Sequence, residues 1–349
     1  MKPQVYTLGG VNPSFPTVDS MKRFLYAQPV AWPPIVVKVR SGKYGPLVLD
    51  TTIFGCSKDN YIRLEADSGA TPVFDGGAQL PGLTLRNCAG WKFEGLVFGN
   101  LTDGVAGVRL EKNVFDVTFR NCSFYAMESD SVVEKRHCGL ISDQALSGNG
   151  RNICLIGNTF RGGWANIYLN QPAKHPDSVS FFIDSNRMYG AKRYGMACSG
   201  CCNVASFSCN TVESPVGAAD YTCLSMMGEG NRYKVGVIGS NMLTAIASKS
   251  ATGISLGYFQ GRGYPYGLVR NNAVYTCAMV STGIRMYPDS SQYDLINNTV
   301  FSKTISSYSA DHAVAVYMGD FFGSIYNNVL MTEGYVGMPL YYTYNHYYS

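Results

Sequence analysis

Apolar and polar residues alternate in short runs along most of the chain, and one six-residue form of that pattern returns about every 30 residues. Each copy opens on an apolar residue in most cases and holds Asn or Cys at its fourth position. Those positions are Cys88, Cys122, Asn158, Asn186, Asn210, Asn241, Asn272, Asn298 and Asn328. Period-2 alternation over a few residues is typical of β-strands. A fixed repeat of this length predicts a stacked repeat architecture.

A second strand recurs within each repeat, usually as Gly, apolar, any residue, apolar. Clear copies lie at 107–110, 139–142, 195–198, 253–256 and 283–286. Two short strands with turns between them, and no helical periodicity, describe one coil of a parallel β-helix whose apolar face is buried by the next coil about 4.8 Å away. The sequence therefore predicts an all-β solenoid of roughly ten or more coils.

The segment before the repeats has a helical pattern. Thr17 is a suitable N-cap for a short helix over roughly 18–27, with Val18, Met21, Phe24 and Leu25 at helical spacing. Such a helix would cover the exposed end of a coil stack. We therefore predict an N-terminal cap over 1–34, the β-helix over 35–330, and a Tyr-rich segment over 331–349 that either caps the last coil or contacts another subunit.

The repeated Asn position has a structural interpretation. Asn tolerates the left-handed backbone conformation that tight turns need, and stacked Asn side chains can hydrogen-bond to one another and to the turn backbone. The alternative is an Asn-lined binding stripe. We expect the structural role.

Composition narrows the classes of function. The net charge is +4 with 15% charged residues, and no basic run with interleaved aromatic residues is present, so no nucleic-acid partner is expected. No apolar stretch reaches membrane-spanning length, and the N-terminus lacks the apolar core of a signal peptide. The 11 cysteines are an odd number without small-scaffold spacing, so they are expected to be mostly reduced.

The first coils carry a family resemblance. An apolar strand leads into Gly42-Lys43-Tyr44, followed by similar strands at 62–66, 72–76 and 91–98. Over about 35–330 the sequence resembles the pectate-lyase-like right-handed parallel β-helix superfamily. The resemblance implies a right-handed β-helix. That superfamily includes polysaccharide lyases, glycosidases, epimerases, phage tailspikes and non-catalytic virion proteins, and the fold does not choose among them.

The lyases of that superfamily imply further features. Similarity to chondroitin and alginate lyases would imply a calcium site with a Lys base and an Arg acid in the middle coils. Lys192-Arg193 falls in a predicted turn, and no cluster of carboxylates surrounds it. No catalytic residue is carried over from the resemblance, and calcium is expected only if the protein is a lyase.

Alternation in the second strand predicts which residues point outward. One predicted column runs Arg109, Ile141, Tyr168, Ala197, Ser225, Ser255, Arg285, Ala315, Tyr341, and the next includes Glu111, Asp143, Asn170, Tyr287 and Tyr317. Small residues in the middle and aromatic residues at one end predict a shallow trough suited to a sugar chain. The candidate carbohydrate-binding residues are Tyr168, Asn170, Arg285, Tyr287 and Tyr317.

Two carboxylates in that face are candidate catalytic residues. Glu111 and Asp143 are predicted on adjacent coils about 5 Å apart, close to the separation in retaining glycosidases, with Arg109 beside them. Close carboxylates also shift one another's pKa values, as an acid and base pair requires. The alternative is a solvated ion pair in which Arg109 neutralises Glu111.

Two further groups of residues contain side chains suited to catalysis or metal binding. Asp311-His312 with Asp320 would supply a base near neutral pH, although a surface turn explains them as well. Cys198, Cys201, Cys202 and Cys209 begin like a zinc pattern, but no second C-x-x-C pair follows, and small buried side chains explain most of them. No metal site is therefore predicted.

These patterns lead to two hypotheses from different classes. The first is a bacteriophage virion protein, namely a spike, fibre or capsid decoration, that is homotrimeric, contacts other virion proteins and displays a surface for host polysaccharide. The second is a polysaccharide lyase or glycoside hydrolase acting in the β-helix groove, which would be secreted. A purely structural cement protein is a third possibility.

Overall fold

A computed structural model describes residues 3–27, 34–53, 55–77, 79–99, 106–127, 137–143, 152–171, 181–200, 203–226, 234–257, 267–287, 291–305, 312–319, 321–334 and 336–342. Within them the chain forms three parallel sheets and one helix. Sheet A consists of Gln4–Leu8, Ile35–Val39, Ile62–Ala66, Cys88–Glu94, Val114–Arg120, Ile153–Ile156, Phe181–Asp184, Asn203–Ser208, Lys234–Gly239, Gly267–Arg270, Ser291–Ile296, Phe321–Phe322 and Ile325–Tyr326.

The other two sheets have 11 strands each among the described residues. Sheet B consists of Gly42–Tyr44, Pro72–Asp75, Val97–Gly99, Ser123–Tyr125, Thr159–Arg161, Arg187–Tyr189, Thr211–Glu213, Met242–Ile246, Ala273–Ala278, Thr299–Thr304 and Val329–Glu333. Sheet C consists of Leu47–Leu49, Leu83–Leu85, Ala106–Leu110, Cys138–Asp143, Ala165–Gln171, Tyr194–Gly200, Asp220–Met226, Ser250–Leu256, Val280–Met286, Ala313–Met318 and Gly337–Tyr342.

The chain visits the sheets in the order A, B, C and then returns to A one coil further on. Between Ile35 and Thr304 every coil therefore adds one strand to each sheet, and each strand pairs in parallel with its counterparts on neighbouring coils. Sheet A has two further strands, Gln4–Leu8 at the start and a second short strand on the last coil. The pairing extends from Gln4–Leu8, beside Ile35–Val39, to Gly337–Tyr342, beside Ala313–Met318. The predicted all-β parallel solenoid is confirmed.

The predicted N-terminal helix is also confirmed, at Val18–Tyr26. Thr17 caps it through a reciprocal box in which the Thr17 hydroxyl accepts from the Ser20 backbone N–H and the Ser20 hydroxyl accepts from the Thr17 N–H. Met21 and Leu25 on its inner face are fully buried. The helix thus covers the apolar end of the first coils. No helix in the described part of the chain is long and apolar enough to cross a membrane.

Inward side chains from the three sheets form one continuous core, and its early coils are rich in aromatic rings. Phe93 stacks on Phe119 at a centroid separation of 4.9 Å, and Phe124 stacks on Phe160 at 4.4 Å. All four side chains are fully buried. Equivalent positions on successive coils lie directly above one another, so like side chains stack along the solenoid axis.

The repeated Asn forms a buried ladder at the turn from sheet A to sheet B. The side-chain oxygen of each Asn accepts hydrogen bonds from the backbone N–H and side-chain amide of the preceding Asn. For Asn241 and Asn272 these distances are 3.1 and 2.8 Å. The amide also donates to a backbone carbonyl of an adjacent coil, as from Asn241 to Phe207 at 2.9 Å. The structural interpretation of the column accounts for all these bonds, since a buried polar group must be paired.

Two details of the predicted ladder are wrong. The left-handed residue is the one before the Asn: Ser185 has a φ of 60° and Ser240 one of 56°. The ladder Asn needs an ordinary backbone to aim its side chain along the axis. Cys88 is also outside the ladder, because it begins a sheet A strand paired with Val114, in the turn that follows sheet C. Cys122 does belong, since its N–H donates to the Asn158 oxygen at 2.9 Å.

Candidate functional site

The outer face of sheet C carries most of the predicted site residues, and a column of glycines shapes it. A Cβ at Gly283 would lie 2.1 Å from a Val300 methyl, and one at Gly253 would lie 2.2 Å from a Val274 methyl. A side chain at either of these two positions would clash, so glycine is required there. The glycine position itself is left out of the strand pairing. The outer face therefore carries two columns of side chains, one aligned with Ala106, before the glycine, and one aligned with Arg109, after it.

The register fixes the second of these columns. It runs Thr84, Arg109, Ile141, Tyr168, Ala197, Ser225, Ser255, Arg285, Tyr317, Tyr341. The predicted column had Ala315 in place of Tyr317, which is wrong by two residues. Ala315 takes the close-approach position over Gly283 and is fully buried. Tyr317 consequently lies beside Arg285 on the outer face.

At the N-terminal end of this face, Glu111 is held by two arginines. The Arg86 Nε donates to the Glu111 carboxylate at 2.6 Å, and the Arg109 Nε lies 3.7 Å from its other oxygen. This arrangement matches the ion-pair alternative. The backbone register places Asp143 on the next strand, since Leu110 pairs with Ser142, but the Asp143 side chain lies outside the described residues. A catalytic role for the pair stays a prediction.

A small apolar cluster occupies the middle of the face, separate from the main core. Tyr168 is only 4% exposed and packs edge-on against Trp164 at a centroid separation of 5.6 Å. Tyr194 lies 4.9 Å from the Trp164 ring. Trp164 and Tyr194 are half-buried, as is Asn170. Sequence reasoning missed Trp164 because it precedes its strand in a turn, outside the alternating pattern.

The C-terminal end of the face holds a cleft of about 440 Å³. It is lined by Arg285, Tyr287, His312, Val314, Tyr317, Met338 and Tyr341. The strands Val280–Met286, Ala313–Met318 and Gly337–Tyr342 bring these side chains together. Three predicted carbohydrate-binding residues, Arg285, Tyr287 and Tyr317, therefore meet in one site.

Arg285 lies at the centre of this cleft. Its guanidinium carbon is 5.6 Å from the centroid of the Tyr287 ring and 5.5 Å from that of Tyr317. One terminal nitrogen donates to the Tyr287 hydroxyl at 3.2 Å. Both rings attract the cation through their π faces. They therefore restrict the positions that the Arg285 guanidinium can adopt.

Aromatic and apolar side chains complete the cleft. Tyr317 stacks on Tyr341 at a centroid separation of 5.3 Å and an angle of 19°. Val314 and Met338 supply apolar surface from the column on the other side of the glycine. Neither residue was predicted to line the site. Simple alternation along their strands gives only one outward column, and the second column, before the glycine position, does not show in the sequence.

The remaining constellations separate. His312 lines the cleft, whereas Asp311 and Asp320 lie outside the described residues. Eight of the described cysteines are free, in agreement with the expectation that most are reduced, whereas Cys198 is engaged in a disulfide. Cys209 lies in the turn that follows sheet A, whereas Cys198 lies on sheet C. Cys201 and Cys202 are outside the described part. The two described members of the set, Cys198 and Cys209, are therefore separated.

The two ends of the face are far apart. Six strand spacings separate Arg109 from Arg285 in the register, which corresponds to about 29 Å. Ala197, Ser225 and Ser255 between them leave a shallow floor. The Glu111 and Arg285 ends therefore cannot act on one bond.

Comparisons with known proteins establish the fold. No protein-family model and no curated protein matches the sequence. Among solved structures the chain is similar to pectate lyase Pel9A, with 11% identity and a TM-score of 0.55, over 94% of this chain and 78% of the lyase. It is also similar to PfbA, a surface adhesin of Streptococcus pneumoniae, with 11% identity and a TM-score of 0.52, over 97% and 93% of the chains. The protein has the pectate-lyase-like right-handed parallel β-helix fold.

Proposed function

We propose that the protein binds an acidic polysaccharide along the outer face of sheet C and depolymerises it, with the cleft around Arg285 holding a sugar acid. One observation carries the proposal: the Arg285 guanidinium lies within 5.6 Å of the ring centroids of both Tyr287 and Tyr317 in a cleft of about 440 Å³. The similarity to pectate lyase Pel9A supports it as an analogy of fold.

The cleft offers two kinds of contact that suit such a ligand. Tyrosine rings and the Val314 and Met338 side chains provide surface for the apolar faces of sugar rings, and phenol hydroxyls exchange hydrogen bonds with sugar hydroxyls. The Arg285 guanidinium is a suitable partner for a carboxylate, which it can bind through two parallel hydrogen bonds.

An elimination reaction fits these groups better than hydrolysis. In elimination, a base removes the proton on the carbon beside the carboxyl group, a carbon–carbon double bond forms, and the glycosidic oxygen leaves with a proton. Arg285 would neutralise the carboxylate as charge develops there, and His312 and the Tyr287 hydroxyl are the proton-transfer candidates in the cleft. Hydrolysis would instead need two carboxylates, which the described lining of the cleft lacks.

A non-catalytic display protein is the second candidate, because the fold is about as similar to the adhesin PfbA. The phage spike hypothesis belongs to this class. No comparison bears on a virion role, so that role stays a prediction.

The test is incubation of the purified protein with polygalacturonate, alginate and chondroitin, followed by ultraviolet absorbance of unsaturated products and by reducing-end assays. We expect one of these polymers to be cleaved and Arg285→Gln to lose the activity. Arg187→Gln is the matched control, because Arg187 also lies over a tyrosine ring, 5.1 Å from the centroid of Tyr189, but on sheet B. Binding without cleavage would favour the display protein, and absence of binding to all three polymers would refute the proposal.

A further inference from the structure

We propose that Arg285 provides the positive charge that neutralises the ligand's carboxylate, so that binding in this cleft requires no divalent cation. This inference rests on the proposed function. It departs from the calcium site that resemblance to β-helix lyases implies.

The described donor set of the cleft does not fit calcium. Calcium takes six to eight oxygen ligands, mostly from carboxylates and carbonyls. The described side chains that line the cleft comprise an arginine, a histidine, three tyrosines and two apolar residues, without a carboxylate. Over the described residues as a whole, no group of three or more His, Cys, Asp or Glu side chains is placed to hold a metal ion. The guanidinium would also repel a cation placed beside it.

Arg285 differs from the other arginines near this face. Arg109 lies 3.7 Å from Glu111, and Arg193 donates to Asp220 at 2.9 Å. No carboxylate of a described residue pairs with Arg285, and its buried Nε finds no hydrogen-bond partner there. A half-buried charge with an unused donor is costly unless an anion joins it.

The surrounding rings make this charge available to a ligand. Arg285 donates to the Tyr287 hydroxyl at 3.2 Å, and no carboxylate among the described residues compensates its charge. Both the Tyr287 and the Tyr317 ring contact the guanidinium, which limits the rotamer freedom lost on binding. A carboxylate arriving in the cleft would meet a positioned cation, without a metal ion as bridge.

The test is calorimetric binding of a defined oligogalacturonide, and of alginate and chondroitin oligosaccharides, in EDTA and in excess calcium. We expect at least one to bind with affinities that agree within about twofold in the two buffers, and Arg285→Gln to weaken it about 10- to 100-fold in both. Arg285→Lys keeps the charge but not the forked donors, so its affinity should lie between that of the wild type and that of Arg285→Gln. Arg187→Gln should bind like the wild type.

The outcomes separate the two proposals. Binding that is lost in EDTA and restored by calcium would overturn the present inference and leave the polysaccharide function standing. Cation-independent binding that Arg285→Gln does not weaken would overturn it as well. If no acidic oligosaccharide binds the wild-type protein in either buffer, the proposed function fails and this inference fails with it. The wild-type comparison in EDTA and calcium stands even if Arg285→Gln does not fold.

Discussion

The side-chain oxygen of Asn210 accepts two hydrogen bonds from Asn186 on the preceding coil, from the backbone N–H at 2.9 Å and from the side-chain amide at 3.1 Å. The Asn210 amide in turn donates to the Ile183 carbonyl at 2.8 Å. All of these groups are buried away from water. The Asn210 amide also donates to the Asn241 side-chain oxygen on the following coil at 3.1 Å. One side chain therefore bonds to both neighbouring coils, and the turns depend on one another.

Replacing Asn210 should be costly. Asn210→Ala leaves the Asn186 N–H and the Ile183 carbonyl buried without their partners, so we expect the free energy of unfolding to fall by about 3 kcal/mol or more. Urea unfolding followed by circular dichroism measures it. The exposed sheet B residue Thr299 offers a control, and Thr299→Ala should change stability by less than about 0.5 kcal/mol. Equal stability of the two variants would show that the ladder adds nothing.

A second prediction concerns acid stability. Burial alone would raise the pKa of Asp75, but the Lys43 ammonium at 2.8 Å and the Gly77 N–H outweigh it and lower that pKa. A carboxyl group with a lowered pKa stabilises the fold above its unfolded pKa, and the contribution disappears as the pH falls through the folded value. Since Lys43 is 73% exposed, solvent screens the pair, and Asp75→Asn should cost about 0.5–1 kcal/mol at pH 7.

The same variant should match the wild type in strongly acidic solution, where Asp75 is protonated in both states. Unfolding of both proteins across the acidic range tests this convergence. Lys43→Met should show the same trend with a smaller amplitude. A stability difference that persists unchanged into acid would mean that packing, rather than charge, explains the effect.

Thiol labelling should be selective. Burial raises the pKa of both Cys88 and Cys122 to about 12, so very little thiolate forms at neutral pH. Cys209, in the exposed turn before a ladder Asn, is accessible. We expect an aromatic disulfide reagent to modify Cys209 first, and Cys209→Ser to remove one rapidly reacting equivalent, with peptide mass spectrometry to assign it. Rapid labelling of Cys122 in the folded protein would contradict the buried ladder.

The Glu111 end of the face should not control cleavage at the Arg285 cleft. Glu111→Gln removes an ion pair whose arginines are 49% and 36% exposed, so stability should change by less than about 1 kcal/mol. Activity on the polymer that the wild-type protein cleaves should be retained, because the two ends lie about 29 Å apart. Loss of cleavage in both Glu111→Gln and Asp143→Asn would instead locate the chemistry at the carboxylate pair.

The predicted homotrimer calls for a surface that copies can share. Sheet B exposes apolar side chains along its later strands, including Met242 at 59% and Met331 at 44%. If trimers form there, light scattering should give three times the chain mass, and Met331→Asp should reduce it to the monomer. Val216→Asp, at a fully exposed turn position, should leave the mass unchanged. A wild-type protein that stays monomeric at all concentrations would contradict the predicted homotrimer.

Local sequence was sufficient for the fold. The Asn ladder, the glycine-led strands and the Thr17 cap each express a requirement that a short segment shows by its residue types: a paired buried amide, a close backbone approach, a satisfied helix end. Because every coil repeats those requirements, the period alone predicted the solenoid. The period could not show that Cys88 lies in the turn after sheet C, since that turn and the turn after sheet A begin with similar residues.

The site depended on contacts that local patterns do not encode. Arg285 and Tyr317 are 32 positions apart, and whether they touch depends on the register between two strands. The register depends on the position of Ala315, which lies where the two preceding coils have Gly253 and Gly283. An error of two residues preserves the alternation of inward and outward side chains, so the sequence pattern tolerates it. Only the stacking of whole coils placed Tyr317 beside Arg285 and separated Arg285 from Glu111.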